Sequence, residues 1–470
     1  MALLFIFFAL AVWFVSDPSR AAKIDGYTLY FADDTLRFCY LKSVLYDPLA
    51  LFNPFAKFLW LAIARTFYMV LPIGISSLRL MNSLFSLGIV ALTYKLARNS
   101  GLSAKGASLA LFLLFSFPLY VVASFSGLSE IMFCFFLLLV IHLFINRRYF
   151  PGVIFASLLP LIRQEGIIFF LVWIPFIFRI KKKYLPFFFV PTFLFILADV
   201  VVAGHSPWFF FLYNFIIAEV PSSESFLPAP AKINLFIYLA SQPVLLFAVI
   251  QAFRQLRYQK KSLPFLCFFV SFLYAFIWHA LFYFISGSLL REFRFMIYLF
   301  PLSAVLAASF FINLREKFAL FRRNIFIAFI FLIFIFLSIQ QHYQLQRISR
   351  AAGEVVSAAE DREIRDISLW LDDYFRHAGN NNIYVFGDAV TDRFMRRIWM
   401  YIKSPVNYYA AIRDNKLLDV IKFSIVPEYK FFRGIVITLD KNDEKELTEK
   451  FNYELIKSLP LTRINIYRIS

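Results

Sequence analysis

Apolar runs separated by short polar connections repeat through the first 341 residues of this chain. Most of the runs are at or slightly below the roughly 17–25 apolar residues with which a helix crosses a bilayer. The pattern predicts an α-helical polytopic membrane protein with about eleven transmembrane helices. The predicted spans are Ala2–Val15, Leu78–Ala97, Ala107–Ser124, Ile131–Asn146, Pro151–Ile162, Ile167–Phe178, Tyr184–Ala203, Leu235–Phe253, Leu263–Ile285, Phe295–Ile312 and Ile325–Ser338.

Residues 342–470 follow a different pattern, in which helix-like and strand-like periods alternate. We predict a small C-terminal α/β domain there, after a transmembrane domain that comprises residues 1–341. Its predicted elements are a helix from about Ile364 to Phe375, strands Ile383–Phe386, Gly434–Leu439 and Arg463–Ile469, and a charged helix Asp443–Phe451.

A long segment, residues 16–77, separates the first two predicted spans. Within it, Leu51–Val70 is apolar and aromatic but contains Pro54, Lys57 and Arg65. Such a stretch is typical of amphipathic helices that lie along the membrane surface. A twelfth span here would reverse the distribution of charge between the two sides of the membrane, so we favour surface helices.

The composition agrees with a membrane protein. Hydrophobic residues make up 61% of the chain and aromatic residues 20%, while charged residues make up 17%, against about 25% in a typical soluble protein. These values exclude a disordered chain, a collagen-like chain and an ordinary nucleic-acid-binding domain. Three cysteines are too few for a disulfide framework. The net charge of +18 falls mostly before residue 342, because residues 342–470 contain 20 basic and 18 acidic side chains.

The basic residues indicate the topology, since cytoplasmic loops retain Lys and Arg. With a cytoplasmic N-terminus, five short cytoplasmic connections carry 17 of the 28 basic residues that precede residue 342. An odd number of spans then places the C-terminal domain on the opposite, outer side, together with eleven acidic residues. We predict a multi-pass protein of the inner or plasma membrane. Its basic connections would bind anionic lipid headgroups rather than nucleic acid. A cleaved signal peptide is an alternative interpretation of the first run.

The sharpest candidate site is the pair Asp33-Asp34 in the first outer loop. Two adjacent ionised carboxylates repel each other, which raises the pKa of one member toward the range of a general base. Pairing with Arg37, or a helix N-cap with a solvated neighbour, explains the same spacing without catalysis. Both interpretations stay open at this point.

Three further polar clusters fall at predicted outer helix ends, namely Ser126–Glu130, Arg163–Gly166 and Arg291–Arg294. Each has a structural alternative: a helix cap at Ser129 or Glu130, an ion pair of Arg163 with Glu165, and arginines that snorkel to the interface. Arginine also binds phosphate through its planar fork of donors. His205 is a lone histidine, and such residues are more often structural or interfacial.

Together the clusters gather carboxylates and guanidinium groups on one face of the membrane. This combination suits a reaction in which a carboxylate activates a hydroxyl group and cations stabilise a phosphate leaving group carried by a lipid. No cofactor is required for such a reaction, although a divalent cation is compatible with it.

In their order along the chain, these motifs resemble the GT-C superfamily of polyprenyl-phosphate-sugar-dependent glycosyltransferases, which includes protein O-mannosyltransferases and aminoarabinose transferases. The resemblance covers roughly the first 310 residues, and the most specific part is the pair Ser126–Glu130 and Arg163–Gly166. The other matching motifs are Asp33-Asp34 at the position of the family's catalytic aspartate, Asn53-Pro54 to Trp60, Leu78–Asn82 with Tyr94–Arg98, and Arg294-Phe295 with Pro301.

The resemblance implies an integral-membrane inverting glycosyltransferase. It would transfer a mannose-like or other monosaccharide from a polyprenyl-phosphate donor to an extracytoplasmic hydroxyl of a glycan, lipid or protein. Asp33 or Asp34 would be the catalytic base. Donor phosphate would be bound by Arg294, with Arg291, Arg163 or Lys57 as helpers, and the substrate would be oriented by Glu130, Glu165 and His205. The C-terminal domain lacks Asp-x-Asp and WWDYG-like signatures, which argues against a metal-dependent oligosaccharyltransferase.

Two other functions stay open. One is a glycan polymerase or ligase that uses polyprenyl-diphosphate-linked donors, and the other is a membrane transporter or lipid flippase. Transporters often place charges near the bilayer midplane and repeat their halves, whereas the charges here lie at helix ends and no internal repeat is recognisable.

Overall fold

The computed structural model of the chain describes residues 23–24, 27–29, 37–38, 40–42, 44–45, 51–52, 57–204, 243–258, 268–277, 293–317, 355–378, 382–387, 407–412, 434–438, 453–458 and 465–469. The chain divides into two compact units. One comprises Met1–Met81 and Ser349–Ser470, and the other comprises Asn82–Ile348. The predicted domain boundary between residues 341 and 342 lies outside the described residues and stays a prediction.

Apolar side chains at helical spacing form most of the described part of the second unit. The described α-helices of the whole chain are α1 (Phe58–Val70), α2 (Ser76–Asn99), α3 (Ala104–Phe115), α4 (Pro118–Ser124), α5 (Ser129–Ile145), α6 (Tyr149–Ile162), α7 (Ile168–Lys181), α8 (Val190–Ala198), α9 (Pro243–Tyr258), α10 (Phe268–Ile277), α11 (Phe300–Lys317) and α12 (Ala358–Ala378). Four of the junctions carry tighter or wider turns: 3₁₀ turns Gln164–Ile167, Lys182–Phe188 and Phe293–Leu299, and a π-helical turn Asp199–Ala203.

Three helical runs in the described part are long and apolar enough to cross a membrane, namely Ser76–Asn99, Glu165–Ala203 and Met296–Asn313. The predicted spans from Leu78–Ala97 to Phe295–Ile312 each overlap described helix, although only part of Leu235–Phe253 and of Leu263–Ile285 is described. The predicted spans Ala2–Val15 and Ile325–Ser338 lie outside the described residues.

One predicted span is wrong because it is not a single continuous helix. Ala107–Ser124 was expected as a single helix, but the structure divides it into α3 and α4 at Ser116 and Phe117. The reason is Pro118, which has no amide hydrogen to donate to the preceding turn and is therefore favoured as the first residue of a new helix. A side chain at this break is packed against a neighbouring helix: the Phe117 ring stacks on Phe300 of α11 with 4.2 Å between ring centroids.

The 39-residue helical run Glu165–Ala203 is a hairpin rather than one long span. Its chain leaves the helical conformation at Lys181, where φ is −151° and ψ is 68°. The ring of Phe170 lies 5.3 Å from that of Phe188, whereas eighteen residues of straight helix would separate them by about 27 Å. The chain therefore reverses at the basic segment Arg179–Lys183, where the charge pattern predicts a connection.

Two other basic connections lie close to each other in space. His142, in the last turn of α5, is within electrostatic reach of Lys95 of α2 and of Arg148 before α6. These helix ends therefore lie on one side of the unit. That this side faces the cytoplasm stays a prediction. The opposite ends of α5, α6 and α7 form the site described below.

Short strands of the first unit join two segments that are far apart in sequence. Strands β1 (Lys23–Ile24), β2 (Tyr27–Leu29) and β3 (Val355–Ser357) form an antiparallel sheet in that order. In the register of β2 and β3, Thr28 is opposite Val356. The beginning of the first predicted outer loop is therefore hydrogen-bonded to the segment that leads directly into α12.

A second sheet lies in the C-terminal part of the same unit. Its strands are β4 (Asn382–Gly387), β5 (Asn407–Ile412), β6 (Gly434–Thr438), β7 (Tyr453–Ser458) and β8 (Asn465–Ile469), in the order β5-β4-β6-β8-β7. Strand β4 is parallel to β5 and β6, and β8 is antiparallel to β6 and β7. The predicted strands overlap β4, β6 and β8, whereas the predicted helix Asp443–Phe451 lies outside the described residues.

The apolar face that the sequence of α12 predicts is buried in the structure. Ile364, Ile367, Leu371 and Phe375 are buried at helical spacing, and α12 covers the whole predicted helix Ile364–Phe375. In α1, the residues Trp60, Leu61 and Ala64 form the buried face. With 13 residues, α1 rises about 20 Å, less than the roughly 30 Å of a bilayer core.

Candidate functional site

Three helix ends of the second unit meet at one polar cluster. The cluster comprises Ser129 and Glu130 in the first turn of α5, Arg163 directly after α6, and Glu165 in the 3₁₀ turn before α7. The two carboxylates stand at helix N-terminal ends, where the helix dipole favours negative charge. The sequence places these residues at predicted outer helix ends, and the structure brings them into contact.

Arg163 lies at the centre of the cluster. Its Nη2 and Nε donate to Oε1 and Oε2 of Glu165 at 2.5 and 3.2 Å, which is the bidentate geometry of a strong ion pair. Its Nη1 lies 2.6 Å from Oε1 of Glu130 and 3.3 Å from Oγ of Ser129. One guanidinium group therefore joins the ends of α5, α6 and α7.

The cluster is withdrawn from solvent. The side chains of Arg163 and Glu130 are 4% and 0% exposed, and that of Glu165 is 15% exposed. Burial alone lowers the pKa of Arg163, but the Glu130 and Glu165 carboxylates raise it by more, so its net direction is upward. The guanidinium group is consequently charged at every physiological pH.

Glycine at position 166 is required by the close approach of the 3₁₀ turn to α6. A Cβ atom at Gly166 would lie 2.5 Å from the carbonyl carbon of Leu159 and 2.6 Å from the nitrogen of Pro160. Both are backbone atoms that cannot move aside alone. The Gly166 amide donates to the Arg163 carbonyl at 2.9 Å, which closes the turn that carries Glu165.

An aromatic wall borders the cluster. Tyr298, in the turn before α11, is within electrostatic reach of Arg163 and Glu165. Its ring packs edge-on against Phe133 at 5.2 Å and Phe169 at 5.9 Å between centroids. Such apolar surroundings strengthen the ion pairs by lowering the local dielectric constant.

The structure changes the interpretation of Ser129. The sequence left a helix cap as an alternative role, but the N-cap position of α5 is Leu128 and no side chain caps the helix there. The Ser129 hydroxyl instead accepts a hydrogen bond from Arg163. The predicted pairing of Arg163 with Glu165 is present, and the additional pairing with Glu130 is new.

Most of the remaining predicted site residues lie outside the part of the chain that the structure describes. Lys57 precedes α1 in the first unit, with the left-handed φ of 56°. Arg294 belongs to the 3₁₀ turn Phe293–Leu299, but its side chain is outside the described part. Asp33, Asp34, Arg291 and His205 also lie outside the described residues.

Asn82 also belongs to this region, although its sequence context did not identify it as a site residue. Its side chain is fully buried and donates to the carbonyls of Ser126 and Leu128, in the turn that leads into α5. The available signal was an amide four residues after Leu78, but it was weak because the same span also contains Arg79, Ser83 and Ser86.

This cluster can position substrate groups and interact with their charges. Within the described ranges, no group of three or more His, Cys, Asp and Glu side chains could hold a metal ion. A carboxylate held by a guanidinium group can accept hydrogen bonds from substrate hydroxyls, provided that the substrate reaches its remaining lone pairs.

Comparison with solved structures gives full-length matches. The crystal structure of ArnT from Cupriavidus metallidurans bound to undecaprenyl phosphate matches with a TM-score of 0.64 and 14% identity over 99% of this chain and 98% of that chain. The structure of the same protein in the apo state matches with a TM-score of 0.63 and 14% identity over 99% of this chain and 97% of that chain. No protein-family model and no curated protein sequence matches the chain. At this identity the similarity shows the fold alone: this chain has the fold of those ArnT structures over nearly its whole length.

Proposed function

We propose that this chain is an integral-membrane inverting glycosyltransferase that transfers a monosaccharide from a polyprenyl-phosphate donor to an extracytoplasmic hydroxyl group. The observation that carries the proposal is the full-length similarity to a protein whose structure contains undecaprenyl phosphate. The buried cluster of Glu130, Arg163 and Glu165 supports it, because the same helix ends carry the motifs that resemble the GT-C superfamily.

The proposed arrangement has about eleven spans, with the first outer loop and an α/β domain of residues 342–470 on the outer side. The pairing of β2 with β3 supports it, because two paired strands lie on the same side of a membrane. The chain between them must then cross an even number of times, and the ten spans predicted between them satisfy this condition. A membrane-crossing α1 would make the number odd, and α1 is also short for a span.

In the proposed reaction, Asp33 or Asp34 takes a proton from the acceptor hydroxyl. The acceptor oxygen then attacks the anomeric carbon, and the bond between that carbon and the donor phosphate oxygen breaks. The electron pair leaves with the polyprenyl phosphate, whose charge would be balanced by Arg294 with Arg291 or Lys57. Phosphate is a good leaving group, so no general acid is needed; a divalent cation is compatible but is not part of the proposal.

The geometry favours a different role for Arg163 than binding the donor phosphate. Its guanidinium group already contacts two carboxylates and one hydroxyl group. Its charge is therefore already balanced, and a phosphate that took the place of either carboxylate would leave that carboxylate without this cation. We therefore assign to Arg163 the positioning of Glu130 and Glu165, which would orient hydroxyl groups of the sugar; His205 is a further candidate for that task.

A panel of labelled donors tests the proposal. Purified protein is incubated with polyprenyl-phosphate monosaccharides of different sugars, and release of polyprenyl phosphate is measured with and without acceptor extracts. Release or transfer from any of these donors supports the proposal. A strict requirement for a diphosphate-linked oligosaccharide would replace it with a polymerase or ligase. Uptake of solute by proteoliposomes without any donor lipid would replace it with a transporter.

A further inference from the structure

The side chain of Asn82 bonds α2 to the turn that precedes Glu130. The Nδ2 atom of Asn82 donates one hydrogen bond to the Ser126 carbonyl at 2.6 Å and another to the Leu128 carbonyl at 2.7 Å. Asn82 is 0% exposed, so water cannot replace these bonds. The two bonds use both hydrogens of the amide group, which fixes the turn relative to α2.

The turn itself is tightly bonded. Ser126 donates from its backbone nitrogen and from its hydroxyl group to the Ala123 carbonyl, at 3.1 and 2.7 Å. The Leu128 amide donates to the Ser126 hydroxyl at 3.3 Å. These bonds hold the turn together internally, whereas the two bonds from Asn82 hold it against α2. Ser83 of α2 adds a weaker bond just before the turn, to the Ser124 carbonyl at 3.3 Å.

Ser129 and Glu130 follow the turn directly, and both contact Arg163. A displacement of the Leu128 carbonyl therefore moves the two residues that meet the guanidinium group. From this geometry we infer that Asn82 is a positioning residue of the proposed transferase, acting on Glu130 through the Ser126–Leu128 turn. This inference rests on the proposed function.

The requirement is specific for an asparagine amide. Leucine has a similar shape but no donor, so it would remove one hydrogen bond from each of two buried carbonyls. Serine has one donor on a shorter side chain and could serve one carbonyl at most. The Oδ1 atom of Asn82 has no hydrogen-bond partner among the described residues. The position thus uses the two donors of the amide and not its acceptor.

The test is a double-substitution cycle with Asn82→Leu, Glu130→Gln and both together, in the full-length purified protein. Each protein is measured for kcat, for donor KM and for its thermal unfolding midpoint. Because a misplacement of about 1 Å reduces rates by about 100-fold, we expect Asn82→Leu to lower kcat by about 10- to 100-fold with little change in donor KM. We expect the double variant to be little worse than Glu130→Gln alone in kcat, whereas its unfolding midpoint should fall further, because the Ser126 and Leu128 carbonyls lose their bonds to Asn82 whatever residue is at position 130.

Thr93→Val is the matched control, since Thr93 is also buried in α2 and its hydroxyl donates to Ile89 within the same helix. If Asn82→Leu does not fold, Asn82→Ser takes its place in the cycle. Additive losses in kcat, or full kcat in the single variant, would overturn the inference while leaving the transferase intact. Absence of turnover by the unmodified chain with every donor would instead overturn the proposed function itself, and the positioning role with it.

Discussion

Arg163 Nη1 lies 2.6 Å from Glu130 Oε1, although these residues belong to the ends of different helices. The contact is buried on both sides, so it acts as a tether between α5 and α6 rather than as a surface ion pair. With Glu165 as its second partner, Arg163 fixes three helix ends around one charge. Stability and proposed function should therefore both depend on this guanidinium group.

Arg163→Met should destabilise the protein strongly. It removes a cation that contacts the buried Glu130 carboxylate and the half-buried Glu165 carboxylate, and losing one member of a buried ion pair costs about 3–5 kcal/mol. Arg163→Lys should lose less, because it keeps the charge but not the bidentate geometry. The measurement is thermal unfolding of the detergent-solubilised protein. Lys182→Met, which changes an exposed cation, is the control, and equal midpoints for Arg163→Met and the control would contradict the tether.

Gly166→Ala should disrupt the turn that presents Glu165. The added Cβ would meet backbone atoms of Leu159 and Pro160 at 2.5–2.6 Å, so α6 and the turn must separate. We expect a loss of at least about 2 kcal/mol in the free energy of unfolding. Gly106→Ala is the matched comparison, since its Cβ would meet the end of the Ile312 side chain at 2.5 Å, which can change rotamer. A smaller effect at position 166 than at position 106 would refute this explanation.

The pairing of β2 with β3 can be tested by a disulfide. Directly paired residues on adjacent antiparallel strands lie at about 4.5–5.5 Å, within the range that a disulfide spans. In a background with Cys39, Cys134 and Cys267 changed to Ser, Thr28→Cys combined with Val356→Cys should cross-link under mild oxidation, as shown by non-reducing electrophoresis after proteolysis. Lys23→Cys with Val356→Cys is the control, because these residues lie on the two outer strands. Cross-linking of the control pair alone would contradict the register.

The same cysteines test the topology. Single Thr28→Cys and Val356→Cys variants should react with a membrane-impermeant maleimide in intact cells, since both positions belong to one sheet that we assign to the outer side. Lys182→Cys, in the basic connection after α7, should react only after permeabilisation. Labelling of positions 28 and 356 from opposite sides would be incompatible with the sheet, and labelling of position 182 in intact cells would invert the proposed orientation.

Sequence alone predicted much of the helical unit, because apolar runs and charges at their ends are local signals. The positions of Glu130 and Arg163 at one predicted face follow from those signals. Their direct contact does not, since helix packing depends on side chains distributed over several spans. The break at Pro118 was missed because proline at the first turn of a helix and proline within a helix look alike in sequence.

Two other features could not be predicted because each depends on a partner that is distant along the chain. Strands β2 and β3 have three residues each and pair across most of the chain length, so neither shows a detectable period of its own. The role of Asn82 depends on two carbonyl acceptors in a distant turn. A polar residue in an apolar span signals that a partner exists, but only the fold identifies it.

The most direct test of the central claim compares the unmodified protein with the Asp33→Asn/Asp34→Asn double variant on the same labelled polyprenyl-phosphate monosaccharide. Glycosyl transfer and release of polyprenyl phosphate are followed together, and binding of undecaprenyl phosphate to both proteins serves as the control for folding. The account predicts transfer by the unmodified protein and loss of transfer, with retained lipid binding, in the variant. Equal transfer by both proteins would contradict the assignment of the base, and no turnover of any such donor by the unmodified protein would contradict the proposed function.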